Sequence, residues 1–239
     1  MSQMQELLQQ CSRVFEVPKK LPPHRGTYHS IRLKDGANPV NIRPYKLVFH
    51  MKNEVEKQVQ ELLEQGFIRH SRSPYSSPII MVRKKNGGWR MCVDYRALNK
   101  LTIPDRYPIP VIEELMDELY GAAYFTKIDL KSGFHQVRMK GEDVEKTAFK
   151  THEVHYEYLV MSFGLMNASA TFQATMNTVF RSLLRKGVLV FFDDISVYSS
   201  HWNEHLKLLR IVLHLMIIYC LPTKRSVPLE RVLSNTWVI

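Results

Sequence analysis

The sequence predicts an α+β fold, because helix-period and strand-like segments are mixed along it without the strict alternation that a parallel sheet needs. Three observations carry that reading. Two segments, 79–93 and 188–199, read as hairpins, and four stretches, 51–65, 111–120, 168–185 and 202–217, have helical periodicity. The chain has 239 residues, 45% of them hydrophobic, enough for one large domain or two small ones with a substantial core. No internal repeat or low-complexity segment points to a solenoid or a disordered tail.

Residues 1–40 read as a lead-in: 5–15 has the pattern of a short amphipathic helix, then Pro18, Pro22 and Pro23 break regular structure, and Asp35-Gly36 marks a turn. In 51–65 an apolar stripe of Val55, Val59, Leu62 and Leu63 predicts a helix, with Gly66 as its stop. Strands are expected at 79–82 and 89–93, joined by the basic tip Lys84-Lys85-Asn86-Gly87-Gly88, whose Asn-Gly pair favours a tight turn. Pro104, Pro108 and Pro110 stiffen the approach to a helix at 111–120. A strand at 124–130 carries Asp129 at its end, and 146–150 and 155–161 read as a second strand pair. A long helix is expected over 168–185. After Gly187 come two apolar strands, 188–192 and 195–199, with Asp193-Asp194 at their tip. In the last helix, Leu206, Leu209, Val212 and Leu213 form a packing stripe.

Lys plus Arg number 33 against 23 for Asp plus Glu, an excess of 10 that suits a polyanionic partner, although solvated lysines give the same count. Cys11, Cys92 and Cys220 form no metal-ligand spacing, and three scattered cysteines fit a reducing compartment. The ten histidines show no ligand spacing either, so His135 and His155 read as structural. Residues 1–10 lack the apolar stretch of a signal peptide, and the most apolar run, 211–221, is too short to span a bilayer and is interrupted by His214. A soluble, intracellular protein with no membrane partner is expected.

Asp193-Asp194 follows five apolar residues, where an unpaired charge is costly. Two carboxylates about 4 Å apart repel by about 4 kcal/mol at an effective dielectric near 20. A shared proton, a basic side chain or a divalent cation could offset that repulsion. An isolated Asp-Asp most simply makes a polar turn. Asp129 changes the balance, since neighbouring strands would bring three acids to one sheet edge. Hard oxygen ligands of this kind suit Mg²⁺, which keeps positions open for water and phosphate.

Several blocks resemble one family. Phe191-Phe192-Asp193-Asp194 resembles the aromatic-x-Asp-Asp motif of reverse transcriptases, and Ile128-Asp129-Leu130-Lys131-Ser132-Gly133-Phe134-His135-Gln136 the first catalytic motif of gypsy-type long-terminal-repeat retrotransposons. The blocks 73–78, 89–100 and 163–168 also match, in family order, and the resemblance covers residues 20–216. It implies a right-hand polymerase fold, with fingers and palm over 41–216 and a diverged tail at 217–239. It implies that Asp129, Asp193 and Asp194 hold two Mg²⁺ ions, with Mn²⁺ as a substitute, and catalyse dNTP addition to a primer on an RNA or DNA template. By the same resemblance Phe134 is the steric gate against a ribose 2′-hydroxyl. Lys84 and Arg90 grip the triphosphate, and Phe163, Gly164 and Gln173 line the nucleotide pocket and template side. Cytoplasmic particles are the expected location.

Some positions depart from the family pattern. Val154 stands where a glycine is usual, Ser162 and Ser169 replace prolines, Ser196 replaces an apolar residue and Tyr28 an aspartate. A β-branched residue in a positive-φ turn would be a backbone outlier. The match fades after residue 216, and the family's thumb, connection and RNase H segments have no counterpart in these 239 residues. Weak processivity is therefore expected. The competing reading is an inactive retrotransposon relic that at most binds nucleic acid through its basic surface.

Overall fold

The computed structural model describes residues 3–16, 20–84, 87–108, 110–130, 132–219 and 229–231. In chain order the elements are α1 (Gln3–Gln10), β1 (Tyr28–His29), α2 (Phe49–Glu64), β2 (Ile68–His70), β3 (Ser77–Arg83), β4 (Trp89–Val93) and α3 (Arg96–Leu101). There follow α4 (Ile112–Glu118), β5 (Tyr124–Asp129), β6 (Arg138–Met139), β7 (Phe149–Lys150), β8 (His155–Tyr158) and α5 (Ala168–Val179). The last are β9 (Val188–Phe191), β10 (Asp194–Ser199), α6 (Trp202–Ile218) and β11 (Leu229–Arg231). The chain divides into two compact units, one of residues 1–17, 107–133 and 172–239, the other of residues 18–106 and 134–171.

The first unit is built on a four-stranded antiparallel sheet of order β11-β5-β10-β9. Period-2 alternation divides its central strands. Thr126, Ile128, Ile195 and Val197 are buried on the face covered by α6, while Lys127, Asp129, Asp194 and Ser196 share the other face and are less buried. From α6, Leu209, Val212 and Leu213 of the predicted stripe complete that core together with His205 and Met216, while Leu206 is only half-buried. Phe172, Met176 and Phe180 of α5 and the turn after it are fully buried as well.

Three segments of this unit differ from, or add to, what the sequence predicts. The helix expected to reach 185 ends at Val179, and residues 180–187 form turns, with Arg185 at φ 62° and Gly187 at φ 103°. A Cβ at Gly187 would lie 2.4 Å from Leu208 Cδ2 and 2.8 Å from the Tyr198 carbonyl oxygen, so glycine is required. Residues 3–16 are no free lead-in: α1 and a 3-10 helix at Ser12–Phe15 pack on α6 and bury Leu7, Cys11 and Val14. The tail expected at 217–239 supplies β11, which pairs with β5 at the sheet edge; its other residues beyond 219 lie outside the described ones.

The second unit contains a five-stranded sheet of order β2-β8-β7-β3-β4, packed around Phe67, Ile79, Tyr95, Leu98, Phe149 and Met161. The hairpin of β3 and β4 forms in the expected place, with Ile79 opposite Val93 and Arg83 opposite Trp89. At its tip Lys84 N–H donates to the Gly88 carbonyl (2.7 Å); Lys85 and Asn86 lie outside the described residues. Part of the segment expected as a lead-in before residue 40 joins this unit. Ile31 is buried in this unit and β1 pairs in parallel with β6, Tyr28 opposite Arg138.

The strand pair expected at 146–150 and 155–161 is shorter, covering β7 and β8, and a 3-10 helix at Gly141–Thr147 precedes it. Asp143 organises that helix by accepting hydrogen bonds from the Ile31 N–H (3.0 Å) and Lys146 (2.5 Å). Val154 is no backbone outlier, since the positive-φ residues other than glycine among those described are Ser132, Asn167, Arg185 and Phe192. The turn is closed instead by Thr151, whose Oγ1 accepts from the N–H groups of Glu153 (3.2 Å) and Val154 (3.0 Å). Among the described residues no helix is long and apolar enough to cross a membrane.

Candidate active site

The register of the first unit brings two of the three predicted acids together. Asp194, at the start of β10, lies directly opposite Asp129, at the end of β5. Side chains opposite each other in an antiparallel pair share a face, and burial and the neighbouring Asp129 carboxyl both push that of Asp194 up. Asp193 occupies the β9–β10 turn and is exposed; its carbonyl accepts from the Leu130 N–H (3.4 Å). Among the described residues, the side chains with three ligand atoms all within 4.8 Å are Glu56, His152 and Glu153 in the second unit. Asp129, Asp193 and Asp194 do not form such a group. His152 Nε2 and Glu56 Oε1 are 3.0 Å apart, a hydrogen bond near the surface.

One of the three ways to relieve carboxylate repulsion is present. Lys127 Nζ lies 2.8 Å from Asp194 Oδ2, the basic side chain of those three. Burial pushes the Asp194 carboxyl up from its ordinary value, the Lys127 hydrogen bond pulls it back, and Asp129 pushes it up again. In return the hydrogen bond to Asp194 holds the Lys127 ammonium above its ordinary value.

The turn carrying Asp193 is strained and braced. Phe192 sits at φ 52°, uncommon for a bulky residue. Gln173 holds it there from α5, its Oε1 accepting from the Phe192 N–H (2.9 Å) and its Nε2 donating to the Val190 carbonyl (3.0 Å). Asn177, one helical turn on, accepts from the same Nε2 (2.9 Å) and donates to the Tyr107 hydroxyl (3.1 Å). Gln173, expected to line the nucleotide pocket and template side, is fully buried, and its amide is occupied by the backbone of the acidic hairpin. Gly133 leaves room for Asp193, since a Cβ there would stand 3.3 Å from Asp193 Cβ and 3.3 Å from the Phe172 ring.

The remaining predicted residues belong to the second unit. Phe134 and Phe163 meet edge-on, with ring centroids 5.6 Å apart, and Phe163 is 61% exposed. Gly164 adopts φ 91° and packs close to the Val93 carbonyl, a conformation that only glycine takes without strain. Asn99 grips this loop from both sides, donating to the Gly164 carbonyl (2.8 Å) and accepting from the Met166 N–H (2.8 Å). Lys84 and Arg90 are exposed on the β3–β4 hairpin, Arg90 opposite Val82. Asn99, Asn177 and Lys127 were missed as supporting residues. Asn99 lies inside the matching block 89–100, and Asn177 stands at i+4 from Gln173, the two signals that could have found them.

The reverse transcriptase (RNA-dependent DNA polymerase) family matches residues 82–225, which include all three acids. The chain belongs to this family. It is 49% identical over 180 residues to the retrovirus-related Pol polyprotein from transposon 297 of Drosophila melanogaster, a match covering 73% of the chain. It is 43% identical over 220 residues to that from transposon opus of the same organism, covering 88% of the chain. The chain spans 17% and 21% of the length of these polyproteins. Among solved structures, it resembles the foamy viral protease-reverse transcriptase in complex with RNA/DNA hybrid, with a TM-score of 0.82 at 24% identity over 93% of this chain and 30% of that one. This likeness shows the fold, that of a reverse transcriptase's fingers and palm.

Proposed function

We propose that this reverse transcriptase chain adds deoxynucleotides to a primer 3′-hydroxyl on an RNA or DNA template, with Asp129, Asp193 and Asp194 as its catalytic acids. The observation carrying the proposal is the opposed pair Asp129 and Asp194 at adjacent strand ends, with Asp193 next in the turn. The donor set fits a divalent ion: hard carboxylate oxygens, partly exposed, on a pair whose repulsion already calls for a positive partner. When bound, two Mg²⁺ ions, or Mn²⁺ in their place, would supply charge neutralisation at the reacting phosphate and at the attacking oxygen.

The protein's own groups contribute position and selectivity. Gln173 and Asn177 hold the acidic turn at fixed geometry, where positioning supplies much of phosphoryl-transfer catalysis. Phe134, steadied by Phe163, would exclude a ribose 2′-hydroxyl. Arg90 would offer a planar fork, and Lys84 a compact charge, to the triphosphate of the incoming nucleotide. On this reading the first unit is the palm and the second the fingers. The partner is a primer–template duplex, and cytoplasmic particles are the location that kinship with transposon polyproteins supports.

The test is Mg²⁺-dependent incorporation of dTTP on poly(rA)/oligo(dT) by the 239-residue chain. Asp193→Asn and Asp129→Asn are each expected to lower incorporation by about 10³-fold or more, as removal of a charge-stabilising group does. Amide variants as active as the parent would refute the assignment. A parent that incorporates nothing with Mg²⁺ or Mn²⁺, yet binds nucleic acid in a salt-sensitive way, would be an inactive relic.

A further inference from the structure

Lys127 precedes Asp129 by two residues on β5, so the two side chains share a face of the sheet, the face that also carries Asp194 and Ser196. In the register, Ser196 is directly opposite Lys127 and Asp194 is its diagonal neighbour, a separation that a long side chain can bridge. The small Ser196, where the family resemblance calls for an apolar residue, leaves that path across the strand pair short of bulk. Lys127 follows it and places Nζ 2.8 Å from Asp194 Oδ2. The charges of Asp129 and Asp193 also help hold the Lys127 ammonium above its ordinary value.

We propose that Lys127 is a resident counter-cation of the acidic tip, neutralising Asp194 in the metal-free protein and competing with a divalent ion for the same carboxylate. The proposal rests on the reading of the acids as metal ligands given above. Without such a charge, opposed carboxylates at the ends of β5 and β10 would splay or share a proton, and the tip would be poorly formed before an ion arrives. With it, the tip is held together, but an incoming ion meets a positive charge already in contact with one ligand. The side chains of Lys127 and Asp194 are 55% and 40% exposed, which keeps the pair weak enough to be displaced. Lys127 is thus a positioning residue, acting through Asp194.

The experiment measures Mn²⁺ binding to the 239-residue chain, without nucleotide or nucleic acid, by calorimetry and by loss of the free-ion electron paramagnetic resonance signal at a fixed pH of about 8. Parent, Lys127→Met, Lys127→Arg and Asp193→Asn are compared, with thermal melting of each in EDTA and in Mn²⁺. Lys127→Met is expected to bind Mn²⁺ about fivefold more tightly, the value of an exposed ion pair, to melt below the parent in EDTA, and to gain more in melting temperature from Mn²⁺. Lys127→Arg, which keeps the charge, is expected to behave as the parent. Unchanged or weaker Mn²⁺ binding by a folded Lys127→Met overturns the proposal. If that variant does not fold, Lys127→Gln replaces it under the same criterion. Should the parent bind no Mn²⁺, or bind it equally with Asp193→Asn, the reading of the acids fails and the role of Lys127 with it. A parent site lost in Asp193→Asn but unaltered in Lys127→Met leaves that reading intact and removes the counter-cation alone.

Discussion

His29 shows how much a single buried side chain can set. It is fully buried, its Nδ1 is 2.9 Å from Thr171 Oγ1, and its Nε2 has no hydrogen-bond partner. Burial lowers its pKa to about 4, partly opposed by the nearby Asp143 charge. The unfolded chain's imidazole takes up its proton near pH 6.5. Between those values the unfolded state binds the extra proton, so stability is whole above about pH 6.5 and falls as pH drops towards 4. Chemical denaturation at pH 7 and pH 5 is expected to show His29→Gln losing about 2 kcal/mol of the parent's pH dependence; an unchanged difference would contradict this. At Phe134, substitution by Val is expected to raise ribonucleotide use relative to deoxynucleotides by about tenfold or more, measured as a ratio of kcat/KM values. The acids were readable from sequence because charge after an apolar strand is conspicuous. Lys127 was not, because its role depends on a cross-strand diagonal that only register reveals.

Among the elements, the β9–β10 hairpin depends most on its neighbour. Phe192 is held at positive φ by one glutamine amide, which also satisfies the Val190 carbonyl. Gln173→Leu would leave the Phe192 N–H and the Val190 carbonyl without that partner, at about 1–3 kcal/mol each if both stay dry. The expected result is a lower denaturation midpoint together with a fall in kcat larger than any change in KM; loss of stability with kcat unchanged would show that the brace serves folding alone. Gly164→Ala tests the other supported loop, where φ 91° implies a cost of about 1–3 kcal/mol, read by the same denaturation measurement. Both hairpins and α2, α4 and α6 could be read from periodicity and turn residues. The end of α5 could not, because residues 180–187 turn to bury Phe180 and fit Gly187 against Tyr198 and Leu208, contacts distant in sequence. The 3-10 helix at Gly141–Thr147 escaped for a similar reason: Asp143 secures it through Ile31, 112 residues earlier.

At the scale of the molecule, the sequence is read twice by the fold. Residues 107–133 and 172–239 return to the unit begun by the first seventeen, and 134–171 return to the unit of 18–106. Linear boundaries at 40 and 216 could not anticipate this, since composition does not change where the chain passes from one core to the other. The interleaving follows from strand pairing: β5 takes its partner β10 from well beyond α5, and β3 takes β7 from beyond β5. Such non-local pairing is what brings Asp129 beside Asp194 across 65 positions of sequence (194 − 129). The central claim is that this pairing builds an ion-binding tip. Its most direct test is a crystal structure of the chain grown with Mn²⁺, using anomalous scattering to locate the metal. The account predicts an anomalous peak about 2.0–2.3 Å from carboxylate oxygens of Asp129 and of the Asp193-Asp194 turn, as hard-cation coordination requires. A metal peak only at other side chains, or Asp129 turned away from the hairpin tip in the occupied crystal, would contradict it.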